Sequence, residues 1–292
     1  MAKGNRALLY FAVIIIVLWS FMPIYWILNL SLQFESTIYA TPTNLAPLKP
    51  TDYWYRRILQ LPVEEIEMAG ASVGAMTAEH IGRGLKNSIL VALPVSVIAT
   101  AVGSLSGYAF GRLKFKFKNG WLVMLLASQV LPPVAVVLPF FIFFLTLGLL
   151  GTLHGLMIIY LGMLIPLVTW VLLGFFAGLP LEIERAARID GCGRLEALRK
   201  IVLPMAAPGI VAGWVLAFIT AYNEFMYAWI LTTGSFAQTL PPAITGLFFQ
   251  DTGVPEMSAA VMLSLLPVLA LGLVLQKYIM QLRIVDPVTV VA

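Results

Sequence analysis

Charged side chains are missing from long stretches of this 292-residue chain, and those stretches predict its helices. No residue between Arg6 and Glu35 is charged, which predicts a helix over 8–30. The interval from Lys86 to Arg112 predicts a second over 88–110. From Lys118 to Glu182 the uncharged run is long enough for two, with a break marked by Gly148, Gly151, His154 and Gly155, so these cover 121–145 and 156–176. A fifth is predicted over 206–231 and a sixth over 258–280. Each approaches or exceeds the roughly 20 residues that a helix rising about 1.5 Å per residue needs to cross a hydrocarbon layer of about 30 Å. A helix also satisfies its own backbone polar groups, as a bilayer demands. The pattern therefore reads as an all-α membrane protein, one domain over 1–292 with six spans, a long segment at 31–86 and a polar loop at 178–204.

Composition excludes the soluble alternative. The chain is 60% hydrophobic and 11% charged, against about a quarter charged in a soluble domain. The only cysteine is Cys192 and the only histidines are His80 and His154, so neither a disulfide framework nor a cluster with metal-ligand spacing is expected. Lys3 and Arg6 precede an apolar run from Ala7 to Gln33 that is too long for a signal sequence, so it reads as a retained first span. No internal repeat is evident.

The net charge of +4 carries less information than its placement, and nucleic acid is not an expected partner. Lys3 and Arg6, then Arg112, Lys114, Lys116 and Lys118, then Arg185, Arg188, Arg194, Arg199 and Lys200, then Lys277 and Arg283 all fall on one side of a six-span topology. By the excess of lysine and arginine in short loops, that side is cytoplasmic, and both termini lie on it. Lys49, Arg56, Arg57, Arg83 and Lys86 fall in the long outer segment, where the rule is weak. That segment also carries Pro42, Pro47, Pro50, Trp54, Tyr55, Glu64, Glu65 and Glu67, and reads either as a loop with a short helix packed on the bundle or as a platform for a partner protein.

Prolines recur within the spans at Pro23, Pro94, Pro132, Pro133, Pro166 and Pro267, where the freed backbone groups need partners from neighbouring helices or water. Ala99, Gly103, Gly107 and Gly111 form a stripe of small residues at intervals of four, read as a packing face for another helix.

The most polar stretch joins spans four and five. Nine of the chain's 32 formal charges, from 18 basic and 14 acidic residues, lie between Glu182 and Lys200. Pro180 suits a first helical turn, Glu182 and Glu184 suit its positive end, and Gly191 suits a C-terminal stop. Glu184 with Arg188 and Glu196 with Lys200 stand in the favourable i,i+4 order. Two short helices with a glycine turn are predicted, and the residues alone fit a solvated connector and a docking surface equally well.

Ala186-Ala187, then Gly191, then Ile201, Leu203 and Pro204 have the spacing of the EAA loop, which is EAA, three residues, Gly, nine residues, Ile, one residue, Leu-Pro. By this loop the chain resembles the permease subunits of binding-protein-dependent ABC importers. Ala187-Arg-Ile-Asp-Gly191 resembles the carbohydrate-uptake branch that includes the MalG-type maltose/trehalose permeases. Asn87-Ser88 and Tyr222-Asn-Glu-Phe225 are similar to that branch too. The motif's glutamate position holds Arg185, with Glu184 one residue earlier, and Arg283 to Ala292 lacks the glycine-rich, lysine-ending tail common there.

The resemblance implies a six-helix permease bundle in the cell membrane whose cytoplasmic coupling helix fits a cleft in an ATPase subunit. The ATPase-coupling residues are then Glu184, Arg185, Ala186, Ala187, Asp190, Gly191, Ile201, Leu203 and Pro204. It also implies a second permease subunit, two nucleotide-binding ATPase subunits, an extracytoplasmic solute-binding protein and a sugar as substrate. The chain has no GxxxxGK[ST] phosphate loop, so ATP and Mg are expected on the partner ATPase, with no catalytic residue and no cofactor held here.

Tyr222, Asn223, Glu224 and Tyr227 are candidates for the substrate pathway. Asn223 and Glu224 are an unusual polar pair in an apolar span, but about 18 residues from Ala206 carry Glu224 to the span's outer end. A structural cap or subunit contact there weighs at least as much as a sugar contact. The aromatic residues, with Trp229, fit sugar stacking or the ordinary interfacial belt, the belt being favoured. A secondary transporter or channel is the competing class. Such proteins usually place several ionisable residues near the midplane, and the predicted spans hold only Glu224 and Lys277.

Overall fold

The computed structural model describes residues 3–39, 44–62, 75–247 and 253–279, and every regular element among them is helical. Pro42, Glu64, Glu65, Glu67 and the segment from Arg283 to Ala292 lie outside the described residues. The chain divides into two compact units, Met1–Arg83 with Ala243–Pro267 and Gly84–Pro242 with Val268–Ala292.

The first unit opens with α1 (Lys3–Ser31), whose apolar side chains, such as Trp19 and Phe21, stay exposed. Two short helices follow, α2 (Glu35–Ile38) and α3 (Tyr53–Ile58). The segment that follows α1 folds back on the end of that helix. The Trp54 indole N–H donates to the Gln33 carbonyl at 2.9 Å, the Tyr55 and Ser31 hydroxyls meet at 2.6 Å, and the Thr51 amide donates to the Leu32 carbonyl at 2.9 Å. Burial pushes the Tyr55 hydroxyl above its ordinary pKa. The helix expected in this segment is thus α3, with Trp54 and Ile58 buried.

The next helix, α4 (Ala75–Arg112), starts in the first unit and continues into the second. There follow α5 (Lys118–Ala127), α6 (Pro133–Thr146) and α7 (Leu153–Gly178). The Thr152 hydroxyl caps α7 by accepting from the Gly155 amide at 3.0 Å. Then come α8 (Leu181–Ile189), α9 (Arg194–Ala197), a π-helical turn at Leu198–Val202, α10 (Leu203–Met205), α11 (Ala207–Tyr222), α12 (Met226–Thr232), α13 (Leu240–Leu247) and α14 (Val254–Ile279).

Four described helices are long and apolar enough to cross a membrane: Leu8–Ser31, Glu79–Arg112, Leu153–Gly178 and Val254–Gln276. A fifth arises if Arg194–Met205 and Ala207–Tyr222, bent by 74°, are taken together, and Pro133–Thr146 is apolar but shorter.

Two of the expected continuous helices are broken. The one over 121–145 is split into α5 and α6, because a residue before proline avoids the helical region: Pro132, held by Pro133, takes ψ 129°. Pro133 then starts α6, where its missing N–H costs nothing. The helix over 206–231 is split at Asn223–Phe225.

The small-residue stripe is a close helix contact. A Cβ added at Gly103 would lie 2.7 Å from the Val168 side chain, and one at Gly107 would lie 3.0 Å from both the Leu172 Cβ and the Leu173 amide nitrogen. α4 therefore rests on α7 backbone to side chain, the approach that small residues permit. On another side of α7, Phe175 lies where a Cβ on Gly209 of α11 would be, at 2.5 Å.

Candidate functional site

The loop from Leu179 to Pro204 forms as two short helices around a glycine turn. Pro180 stands at the N-cap of α8, with Glu182 and Glu184 in its first turn. At the other end Gly191 takes φ +91°, a left-handed conformation that costs an L-residue about 1–2 kcal/mol. The Cys192 amide donates to the Ala187 carbonyl at 3.0 Å and the Gly191 amide to the Arg188 carbonyl at 3.3 Å. These are the 6→1 and 5→2 bonds of a Schellman stop, with glycine at the position that needs it.

Ala187 is buried, while Arg185, Ala186, Arg188 and Asp190 are exposed. Glu184 faces inward with Ala187, and its Oε1 accepts a hydrogen bond from the Tyr108 hydroxyl of α4 at 2.7 Å. Beside it, the Arg112 guanidinium donates to the Leu179 carbonyl. Of the two i,i+4 pairs expected, Lys200 and Glu196 close to 2.6 Å. Glu184 turns instead to α4, because its side of α8 is the packed side, and leaves Arg188 in solvent.

Ile201 and Leu203 are half-buried and Pro204 is exposed. The π turn ahead of them has a local cause. Pro204 has no N–H to return to the Lys200 carbonyl, and the helix adjusts by sending the Leu203 amide back five residues to the Leu198 carbonyl.

The four pathway candidates separate. Glu224 is fully engaged: its Oε1 accepts from the Tyr227 amide at 3.0 Å, and its Oε2 accepts from the Ala228 amide at 3.1 Å and the Tyr160 hydroxyl at 2.8 Å. The carboxylate thus caps α12 and ties it to α7, which explains how the chain breaks at Asn223 without losing its backbone hydrogen bonding. Tyr222 is buried and stacks on Phe218, with ring centroids 5.7 Å apart; Tyr227 is buried and meets Phe140 edge-on at 6.4 Å. Asn223 is the exposed member.

Glu224→Ala strips the cap from α12 and leaves the buried Tyr160 hydroxyl without its acceptor. With about 1 kcal/mol for the cap and about 1–3 for the stranded hydroxyl, a loss of about 2–4 kcal/mol is expected. Thermal unfolding in detergent reads it. Glu224→Gln, which keeps one acceptor oxygen, should fall between; equal melting of all three proteins would show that the carboxylate holds nothing together.

Two further sites were not assigned roles from sequence. The Asn87 amide donates to the Phe236 and Gln238 carbonyls at 2.8 and 2.9 Å, and the Ser88 hydroxyl accepts from the Leu240 amide at 2.9 Å, so this dipeptide clamps the 233–240 connection to α4. Glu256 lies in the first turn of α14 and is 1% exposed. An asparagine beside a serine was a signal; the burial of Glu256 depends on long-range packing and had none.

A family model described as "Binding-protein-dependent transport system inner membrane component" matches residues 99–284. The chain is 31% identical over 277 residues to the trehalose/maltose transport system permease protein MalG of Thermococcus litoralis, covering 94% of each. It is 31% identical over 283 residues to the trehalose transport system permease protein SugB of Mycobacterium tuberculosis, covering 94% of this chain and 96% of that one. It shares its fold, at TM-score 0.70 and 18% identity over 96% of this chain and 99% of the other, with a chain in the crystal structure of a bacterial ABC transporter involved in the import of the acidic polysaccharide alginate. The polar loop, the apolar helices and these matches agree: the chain belongs to the family of binding-protein-dependent transport system inner membrane components.

Proposed function

We propose that the chain is the sugar-translocating permease subunit of an ABC importer, with α8 as its coupling helix. Its relatives named for trehalose and maltose support a sugar as the cargo. Six spans follow if α5 with α6, and α11 with α12, each cross as a broken pair beside α1, α4, α7 and α14. The lysine and arginine excess then puts both termini and α8 in the cytoplasm.

The observation that carries the coupling role is the tie between α8 and the helices that would line the pathway. Tyr108 of α4 holds Glu184, and Arg112 of α4 holds the Leu179 carbonyl, two residues before α8 begins. A displacement of α8 is therefore passed to α4 and, through the Gly103 and Gly107 contact, to α7. ATP and Mg are held by two partner ATPase subunits whose closure moves α8 and its counterpart on a second permease subunit. The bundle then exchanges an outward-facing cavity for an inward-facing one. A solute-binding protein delivers the sugar from outside. Among the pathway candidates, Asn223 is the side chain free to meet it, with Tyr222, Glu224 and Tyr227 shaping the wall behind.

The test is reconstitution of the four-part complex in liposomes, with trehalose and maltose offered through the binding protein. Uptake that requires ATP and the ATPase subunits is expected; uptake by this chain without them would make it a secondary transporter or channel. Tyr108→Phe removes the one hydroxyl that Glu184 holds, at a cost of about 1–2 kcal/mol. Sugar moved per ATP hydrolysed is expected to fall roughly fivefold, with the complex still assembled. An unchanged ratio would detach Tyr108 from coupling.

A further inference from the structure

The cytoplasmic end of α4 and the start of α8 enclose a cavity of about 390 Å³. Arg112 and Lys114 line it from one side and Arg185, Arg188 and Arg194 from the other, against a single carboxylate, Glu184. That carboxylate already spends Oε1 on the Tyr108 hydroxyl. Arg112 Nε and Glu184 Oε2 are both buried without partners, and with five basic side chains against one carboxylate the lining keeps a surplus of positive charge. Guanidinium groups in such a cluster match the oxygens of a phosphate, which they bind through paired N–H donors.

The chain next to the cavity points to the membrane surface. Lys114, Phe115, Lys116, Phe117 and Lys118 alternate charge with aromatic rings. Phe115, Phe117 and Trp121 are 40%, 72% and 52% exposed, as rings seated at headgroup depth would be. Phe117 holds this exposure at φ 59°, a left-handed conformation unfavourable for a bulky residue, with the Lys116 ammonium 5.3 Å from its ring.

We propose that this cavity binds a phosphate group, supplied by the headgroup of an acidic membrane lipid. Its volume suits one headgroup rather than a folded polypeptide segment, and the adjoining rings would place it where headgroups are. Basic pockets beside transmembrane helices on the cytoplasmic side are suited to such lipids. A bound lipid would tie the end of α4 to α8 at the level of the membrane surface. The proposal requires that α4 spans the membrane and is independent of which solute is carried.

The test uses the assembled permease–ATPase complex in mild detergent, titrated with phosphatidylglycerol or phosphatidylcholine, with retained lipid counted by native mass spectrometry. Wild type is expected to retain phosphatidylglycerol selectively, and excess inorganic phosphate should not displace it. Lys114→Gln with Arg194→Gln should weaken retention about thirtyfold, since each cation near a membrane surface contributes about fivefold. Lys114→Gln alone, at an exposed side chain, should weaken it about fivefold and covers the case in which the double variant fails to assemble. Equal retention of the two lipids, or retention unchanged in the variants, overturns the proposal. So does displacement by phosphate, which makes this a free-anion site, or loss of the ATPase subunits from the variants with lipid retention intact, which assigns the cavity to the partner. Failure of sugar uptake alone bears on the transport reading and leaves this result standing.

Discussion

Gly107→Leu is expected to prevent the helical bundle from reaching its folded packing. A Cβ at this position already sits 3.0 Å from the Leu172 Cβ, 3.0 Å from the Leu173 amide nitrogen and 3.1 Å from the Leu172 carbonyl carbon. Two of these three atoms belong to backbone inside α7, so no side-chain rotation relieves the contact. α4 and α7 must separate, and the interlocking of Gly103 with Val168 and Gly111 with Phe176 is lost with it. Overpacking a tight core costs about 1–3 kcal/mol, and the loss of a whole helix face puts this case at about 3 kcal/mol or beyond. In a chain of this size that lowers the melting temperature by on the order of 10 °C. Gly162→Leu is the matched control on α7, because nothing lies within 4 Å of a Cβ there. Melting followed by size-exclusion chromatography in detergent should show a graded loss from glycine through alanine to leucine at 107 and almost none at 162. Equal tolerance at the two positions would mean that α4 and α7 do not rest on each other.

This contact was legible in the sequence because a four-residue spacing of small residues has one simple structural use. The span breaks were not, and the prolines show why. Pro23, Pro94, Pro166 and Pro267 all lie inside unbroken helices, whereas Pro132 and Pro133 stand at the start of α6, past the break that follows Ala127. A lone proline removes one hydrogen bond, which a long helix survives; at the 132–133 pair the first proline takes the extended ψ of 129° that the second favours, whereas the pair Pro241 and Pro242 fits within the first turn of α13, where missing N–H groups cost little. The break at Asn223 has no such local cause. It depends on Glu224 reaching forward to two amides and across to Tyr160, 64 residues earlier in the chain, which no local pattern announces.

The polar loop was legible to a different degree at each residue. Gly191 could be read because only one backbone state explains glycine after an amphipathic turn. Glu184 could be placed on α8 but not oriented: its spacing to Arg188 suits an ion pair, and only the position of Tyr108, 76 residues away, turns it inward. That orientation gives Arg185, at the motif's glutamate position, an exposed place on the helix, where a partner subunit could meet it. Charge inversion at that position therefore leaves the internal anchor of α8 intact, since the anchor is the neighbouring Glu184.

Gly191→Val should cut coupled transport at least tenfold while leaving the bundle inserted and folded. The expectation rests on conformation alone, because nothing lies within 4 Å of a Cβ at Gly191 and no clash is introduced. The backbone at φ +91° excludes β-branched residues, and the strain of about 1–2 kcal/mol or more is relieved by giving up the Schellman stop. α8 then frays or runs on, and the direction it would present to the proposed ATPase partner is lost. A penalty of about 1.4 kcal/mol is a factor of ten, so sugar uptake in the reconstituted complex should drop tenfold or more. ATP hydrolysis should persist but cease to respond to the loaded binding protein. Gly191→Asn separates conformation from bulk: asparagine visits the left-handed region, and its uptake should stay within about threefold of wild type. Wild-type uptake in the valine variant would remove α8 from the coupling path. Equal loss in both variants would show that the space around Gly191, taken up by a partner subunit, matters more than its backbone angle.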